Sequence, residues 1–327
     1  MNRLLGFCIP TYNRRDSLKV TLKSLLSQIK SYEIPIYISD NASEDGTEDM
    51  VKDLQREYPF IFYKKQEFNK GIDINMLDVI KMADTKYAWW LGDDDLVLDN
   101  AVIEVLSLLE QDDKYDLVLL NGKMLNGNLT LRDTKNYIIE DCKDFFRKCW
   151  ICMPFGTLII NVEKVKETSP VRFIGTSHAY SGVVLDYLAE EYIKNGRNKI
   201  LLISKPLLLL SGGAKLKTWE EFSAKIMLID IPEWFTKLHP IYLTDAEKIR
   251  AIFLKERSND ILSFIRYRSR GTIKLSNYLL YTRYLTLKGK FTGLLVSLLP
   301  IKLARTIFHI GKNFKNLAKQ IIMRDVR

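Results

Sequence analysis

Five short apolar segments alternate with stretches of helical spacing in the first 121 residues, and this alternation leaves the chain few folds. LLGFCI (4–9) reads as a buried strand closed by Pro10, and SLKVTLKSLLSQI (17–29) carries leucines near helical spacing. IPIYIS (34–39) predicts a second strand, and the polar DNASEDGT after it breaks into a helix with Met50, Val51 and Leu54 on its apolar side. FIFYKK (60–65) predicts a third strand, NMLDVIKMA (75–83) a helix, YAWWL (87–91) a fourth strand, AVIEVLSLLE a helix and YDLVLLN (115–121) a fifth strand. Strands separated by helices of this length pair in parallel through right-handed crossovers. The expected architecture is an α/β sheet, mostly parallel, with helices on both faces and its ligands at the carboxyl ends of the strands.

Four polar clusters fall on that one edge. Pro10-Thr11-Tyr12-Asn13 follows the first strand, Asp40-Asn41 the second, Asn69-Lys70-Gly71 lies beyond the third, and Asp93-Asp94-Asp95 follows the fourth. The convergence says more than any one cluster, because a purely structural account would have to excuse each separately. WWLGDDDLV (89–97) is the sharpest, since it ends an apolar run in three like charges that cannot be buried unpaired. One aspartate capping the next helix, with its neighbours in water, is one account. A divalent cation is the other, because Mg²⁺ or Mn²⁺ takes hard oxygen ligands, keeps positions for phosphate oxygens and turns mutual repulsion into shared attraction.

CIPTYNR (8–14), ISDNASEDGTEDMV (38–51), N-K-G-x-x-x-N (69–75) and WWLGDDD (89–95), in that order, resemble the nucleotide-sugar glycosyltransferases of family 2 over about residues 3–125. The resemblance implies a GT-A (Rossmann-like) fold, a nucleoside-diphosphate sugar donor (CDP-, UDP-, GDP- or dTDP-linked), and a D-x-D-type motif holding Mg²⁺ or Mn²⁺ on the diphosphate. The family's usual form has an aspartate where this chain has Gly92, which puts the metal duty on Asp94 or Asp95. The chain's own D-x-D is Asp93 with Asp95, so all three are metal candidates, and Asp93 and Asp94 are candidates for the donor as well. The resemblance further implies Pro10, Thr11 and Tyr12 around the nucleoside, with Arg14 in the same loop, and Asp40 accepting a hydrogen bond from the pyrimidine ring or ribose. Asn69, Gly71 and Asn75 fill the slot that closes over the diphosphate. Many relatives place an arginine nearby; here Ile72-Asp73-Ile74 intervenes, and Lys70 is the substitute.

An inverting transfer to a hydroxyl calls for a general base, whereas a retaining one does not, and the sequence leaves both courses open. In RFIGTSHAYSGVVLDYLAEEY (172–192) a loop precedes an amphipathic helix, and of the three histidines His178 alone stands among small polar residues. Asp186, Glu190 and Glu191 compete for the role, although Glu190 and Glu191 also suit a solvated helix face and His178 a helix cap. The T-S-H loop is similar to that of the abequosyltransferase-like enzymes of O-antigen assembly. That likeness implies a deoxyhexose such as abequose and a polyprenyl-diphosphate-linked oligosaccharide acceptor. KPLLLLSGGAKLK (205–217) reads either as a plain turn at Ser211-Gly212-Gly213 or as a flexible segment bringing Lys215 and Lys217 to phosphate.

The net charge of +9 conceals a division. From Lys248 to Arg327 there are 18 Lys and Arg against Glu256, Asp260 and Asp325, a net +15, while the preceding 247 residues carry −6. The leucine-, tyrosine- and phenylalanine-rich helices expected here, LPIKLARTIFHIGKNFKNLAKQIIMR above all, form a cationic amphipathic surface suited to anionic lipid. Packing on the catalytic domain or in a homo-oligomer is the alternative; nucleic acid is not an expected partner, since no nucleic-acid motif accompanies the charge. No apolar stretch approaches the roughly 18 residues that span a bilayer, and the N-terminus has no signal-peptide pattern. Four cysteines are too few for a disulfide scaffold, and C-W-I-C (149–152) reads as buried thiols.

The sequence thus predicts a GT-A domain over 1–215 (nucleotide sugar 1–125, acceptor 126–215) and a helical basic region over 216–327, cytoplasmic and peripheral on the inner face of the membrane. The rival functions are a family 2 transferase for capsule or teichoic acid, and a non-catalytic nucleotide-binding scaffold on the membrane surface.

Overall fold

The computed structural model describes residues 3–112, 114–211 and 223–311, which form two compact units. The first takes the described residues up to 211 together with 237–242; the second takes 223–236 and 243–311.

The first unit is built on a sheet of nine strands among the described residues, ordered β3-β2-β1-β4-β8-β6-β9-β5, with β7 paired to β9. β1 (Leu5–Thr11), β2 (Ile36–Asp40), β3 (Ile61–Lys65) and β4 (Tyr87–Trp90) pair in parallel, so Thr11, Asp40, Lys65 and Trp90 end at one edge. This half matches the sequence expectation closely. The connecting helices are α1 (Arg15–Ile29), α2 (Thr47–Glu57) and α3 (Ile72–Met82); α2 buries Met50, Val51 and Leu54 as its spacing requires.

Two boundaries differ from the sequence reading. Pro10 does not close β1 but lies within it, level with Ser39 of β2. Helix α3 starts at Ile72, three residues before Asn75, because Gly71 takes a positive φ of 86° and turns the chain into the helix there. Ile72-Asp73-Ile74 is therefore the first helical turn and not a loop.

Beyond β4 the sheet becomes mixed. β5 (Leu96–Val97) and α4 (Ala101–Gln111) precede β6 (Leu117–Met124), β7 (Tyr137–Ile139) and α5 (Cys142–Cys149). β8 (Leu158–Asn161) then enters antiparallel between β4 and β6. Helix α6 (Val162–Glu167) and helix α7 (Ala179–Asn195) follow, and β9 (Ile200–Leu210) runs parallel to β6 and antiparallel to β5. Because β5 starts one residue after Asp95, its pairing with Leu208 and Leu209 brings the end of β9 onto the aspartates.

Trp89 and Trp90 are fully buried on opposite faces of β4, as the alternation of a strand demands. Trp89 tilts against Phe7 and donates through Nε1 to the Gly156 carbonyl at 2.8 Å. Trp90 donates to the Met76 carbonyl at 3.0 Å and meets Phe155 and Tyr180. Each indole thus contributes a large apolar surface with its polar N–H satisfied, which fixes β4 rigidly behind the acidic turn. Cys8, Cys142 and Cys149 are buried thiols; the side chain of Cys152 lies outside the described residues.

The second unit is helical: Ile231–Thr236, Leu243–Asn259, Ile261–Ser269, Tyr278–Thr282, Leu287–Leu298 and Ile301–Gly311. Phe264, Ile265, Tyr267, Ile273, Leu285, Val296 and Ala304 form its core. Among the described residues no single helix is long and apolar enough to cross a membrane.

Candidate active site

The carboxyl edge of β1, β2 and β4 gathers most of the polar residues singled out in the sequence. Thr11 ends β1 and donates through Oγ1 to Asp93 Oδ2 at 2.9 Å. Arg14 closes the same loop: Nη1 lies 2.8 Å from Asp93 Oδ1 and 3.0 Å from Asp94 Oδ2. Thr21 of α1 donates to the Asp93 carbonyl at 3.1 Å. One guanidinium nitrogen thus bridges two buried carboxylates. Burial works against its charge, but Asp93 and Asp94 outweigh it and hold the Arg14 pKa above its ordinary value.

Asp95 is turned elsewhere. Its Oδ1 accepts from the Ser211 amide at 2.8 Å and its Oδ2 from the Gly92 amide at 3.2 Å. A Cβ on Gly92 would lie 2.6 Å from that Oδ2, and one on Gly156, where φ is +106°, would lie 2.2 Å from it. Gly92 stands where the family pattern has an aspartate, so the departure makes room for Asp95 to fold back under the turn. Burial pushes the Asp93 carboxyl up to about 6, against the pull of Arg14. Burial, with Asp94 alongside, pushes Asp95 up to about 8.

The donor chemistry of this turn fits a divalent cation. Two buried carboxylates, Asp93 and Asp94, share one guanidinium, Asp93 and the neighbouring Asp95 are driven toward protonation, and apart from the Arg14 ion pair at 3.0 Å the buried Asp94 Oδ2 has no hydrogen-bond partner among the described residues. The geometry is not that of a three-carboxylate cage: among the described residues no three His, Cys, Asp or Glu side chains converge on one point. Asp93 and Asp94 meet over Arg14, and Asp95 stands apart from that pair.

The loop after β2 is braced internally. Asp40 is buried, with Oδ1 accepting from the Ser43 amide at 2.8 Å and Oδ2 from the Tyr63 hydroxyl. Burial and the Asp40 carboxylate keep the Tyr63 hydroxyl protonated far above its ordinary pKa. Asp40 therefore serves the turn at Asp40–Ser43, and a nucleobase would have to share or displace Tyr63 to reach it. Tyr12, by contrast, is 43% exposed just past the end of β1.

The 69–75 segment divides into structural and exposed parts. Asn75 is buried and ties the strand ends together, accepting from Ser39 Oγ at 2.7 Å and donating to the Thr11 and Ser39 carbonyls at 3.2 and 3.1 Å. Asn69 accepts from Asn41 at 2.7 Å and from the Gly71 amide at 2.9 Å, which shapes the turn. Lys70 bonds Gln66 at 2.8 Å and pairs with Asp78 at 3.3 Å, so its ammonium is engaged along the start of α3.

Asp73 has a role the sequence gave no sign of. Buried in the first turn of α3, it accepts from the Gly175 and Ser177 amides at 2.8 and 3.0 Å through Oδ2, and from the Ala179 amide at 3.1 Å through Oδ1. One carboxylate thereby clamps the loop that carries His178 and the N-terminus of α7, where acidic groups are favoured. His178 precedes α7, stacks on Tyr180 and places Nδ1 3.2 Å from the Thr176 carbonyl. A carbonyl only accepts, so the proton of the neutral ring sits on Nδ1 and Nε2 is the basic nitrogen.

Asp186 and Glu190 do not join it. They lie about 12 Å or more further along α7 by helical rise, beside a cleft of about 550 Å³ that Lys164 and His239 also line. There Arg172 pairs with Asp186, and His239 stands 3.3 Å from Glu190. Burial holds the Asp186 pKa above the ordinary carboxylate value despite Arg172. Of the segment read as a second phosphate contact, only Ser211 is described at its end; Gly212, Gly213, Lys215 and Lys217 lie outside the described residues.

The sequence pattern of glycosyl transferase family 2 matches residues 7–165, the stretch that builds β1 to β8. The chain carries a family 2 glycosyl transferase domain. The chain is similar to abequosyltransferase RfbV of Salmonella typhimurium, 29% identical over 280 residues, covering 78% of this chain and 81% of that one. It is also similar to the GalNAc(5)-diNAcBac-PP-undecaprenol beta-1,3-glucosyltransferase of Campylobacter jejuni, 29% identical over 52% of this chain and 54% of that one. Among solved structures, S. aureus TarS 1-349 in complex with UDP-GlcNAc superposes with a TM-score of 0.55 at 15% identity, over 90% of each chain. At that identity the likeness speaks for the fold alone, and the fold of this glycosyltransferase is GT-A.

Proposed function

We propose that this glycosyltransferase moves a sugar, a deoxyhexose such as abequose, from a nucleoside diphosphate to a hydroxyl of a polyprenyl-diphosphate-linked glycan, an O-antigen intermediate. The observation that carries the reading is the buried cluster of Thr11, Arg14, Asp93 and Asp94 at the carboxyl edge, where the fold delivers ligands and where negative charge exceeds its internal partners. Similarity to abequosyltransferase RfbV across 78% of this chain, beyond the family 2 domain itself, supports the sugar, and similarity to the PP-undecaprenol glucosyltransferase over 52% of the chain supports the acceptor class.

Tyr12, exposed past β1, offers a ring to the nucleoside beside Pro10 and Thr11. Asp94, with Asp93, would hold a Mg²⁺ or Mn²⁺ ion. Such an ion supplies positive charge to the departing diphosphate. Arg14 sets the two carboxylates side by side and supplies positive charge of its own. Asp95 holds the end of β9 over the turn through Ser211. His178 accepts the acceptor's proton at Nε2 in an inverting course, or orients the hydroxyl in a retaining one, from a loop that Asp73 fixes against α3. A polyprenyl-linked acceptor would have the enzyme work at the inner face of the cell membrane.

The test is donor turnover, followed by mass spectrometry across CDP-, UDP-, GDP- and dTDP-sugars with a polyprenyl-linked acceptor, with Mn²⁺, Mg²⁺ or EDTA. We expect one donor class to be consumed and Asp94→Asn to lower that consumption by about 10²–10³-fold. Thermal stabilisation by a donor without turnover of any of them would leave the non-catalytic nucleotide-binding scaffold as the better account.

A further inference from the structure

The helix Leu287–Leu298 turns its small residues inward and its large ones outward. Gly289, Gly293 and Ser297 are buried with Val296. A Cβ on Gly293 would lie 2.5 Å from Thr282 Cγ2, and one on Gly289 2.8 Å from Ser258 Oγ, so this face admits nothing larger without displacing its neighbours. On the other face Leu287, Phe291, Leu295 and Leu298 follow one another at helical spacing and are 86, 62, 51 and 57% exposed. Leu279 and Leu280 of Tyr278–Thr282, and Leu303 and Ile310 of Ile301–Gly311, are exposed in the same unit. A contiguous row of large apolar side chains in water is unfavourable unless something covers it.

Charge identifies the cover. Residues 261–311 hold nine Lys and Arg and no Asp or Glu. Lys274, Arg283, Lys288, Lys302 and Arg305 are exposed. A second copy of the chain laid on this face would bring like charge against like across a low-dielectric contact. An anionic lipid surface meets both halves of the pattern: the leucine and phenylalanine row enters the boundary between headgroups and acyl chains, and the ammonium and guanidinium groups meet lipid phosphates. Leu287–Leu298 and Ile301–Gly311 bend by 118° at the Pro300 junction, which suits a pair lying in an interface and not one helix crossing it.

We propose that the outward face of Leu287–Leu298, flanked by these basic residues, is an interfacial anchor that docks the enzyme on an anionic lipid surface. This deepens the membrane placement given under the proposed function, but its readout is independent of transfer.

The full chain is floated with vesicles of phosphatidylcholine plus phosphatidylglycerol, and with phosphatidylcholine alone. The expected result is flotation with the anionic vesicles, weakened by salt, and a fall of about tenfold or more in the bound fraction for Phe291→Gln with Leu295→Gln. Lys288→Ala with Lys302→Ala should lower binding to anionic vesicles by a few-fold and leave the weak neutral binding unchanged. Donor turnover on a short soluble acceptor should stay at wild-type level in both double variants. Unaltered flotation of Phe291→Gln with Leu295→Gln overturns the proposal. So does retention on vesicles through an alkaline carbonate wash, which marks an inserted segment, or a lipid-indifferent dimer that the same double variant dissociates. Loss of turnover in every protein, wild type included, would count against the transferase reading and leave the flotation result standing.

Discussion

The turn after β4 and the helix Leu287–Leu298 invert each other. At β4 the largest side chains, Trp89 and Trp90, are wholly inside and the charges Asp93 and Asp94 stand at the edge, buried against Arg14. In the helix the glycines are inside and leucine and phenylalanine are outside, with lysines beside them. The first arrangement sets charge against a rigid apolar wall, where its interactions are weakly screened. The second leaves apolar surface for a partner to cover. One region concentrates energy within the fold, and the other holds it in reserve for binding.

Four experiments would break or sharpen that contrast. The largest effect belongs to charge at the edge: Asp94→Asn keeps the shape and removes the carboxylate facing Arg14, so donor turnover should fall by about 10²–10³-fold while the melting temperature holds. Unchanged turnover would separate the acidic turn from catalysis.

Next come the two glycine contacts. Gly156→Ala puts a Cβ against Asp95 at a backbone φ of +106°, and Gly293→Leu forces the helix off Thr282. Each should cost about 2–3 kcal/mol in chemical denaturation, the first by backbone strain and collision, the second by overpacking. A neutral Gly293→Leu would refute the close inward packing on which the inverted helix depends.

A pH series in EDTA gives the third. The folded Asp95 carboxyl sits at about 8 against an ordinary 3.8, so the native state keeps a proton that the unfolded chain releases. Stability is then undiminished below the ordinary value, declines as pH rises, and the loss is complete above about 8. Asp95→Asn removes the titration, so its stability relative to wild type should rise steadily from acidic to mildly alkaline buffer, measured by thermal denaturation at each pH. A gap that stays constant with pH would contradict the buried, proton-holding state. The smallest effect is expected at Leu295→Gln, which should move folding stability by no more than about 0.5 kcal/mol, because its side chain is exposed and lies outside the core.

Much of the edge was legible because its signals are local. Apolar alternation gave β1 to β4, and the polar clusters that close them could be placed on one side by the parallel rule alone. Asp93 and Asp94 were found by their improbability after Trp89 and Trp90. Asp73 was not, because its three partners lie more than a hundred residues away in the 175–179 loop. Gly156 escaped for the same reason, and Ser211 was read as part of a turn and not as a partner of Asp95: each acts on Asp95 across the insertion of β8 and the pairing of β5 with β9. Asp186 and Glu190 lie on the helix that follows His178, and sequence proximity suggested one site where helical rise separates two.

The order of strands and helices, the family pattern and the charge division between the two ends are carried by neighbouring residues, and short-range preferences suffice to read them. Which carboxylate faces Arg14, which one folds back under Gly92, what holds the His178 loop and which side of Leu287–Leu298 meets water were decided only when distant segments packed, since close contact and loss of solvent are properties of three-dimensional neighbours and not of chain order.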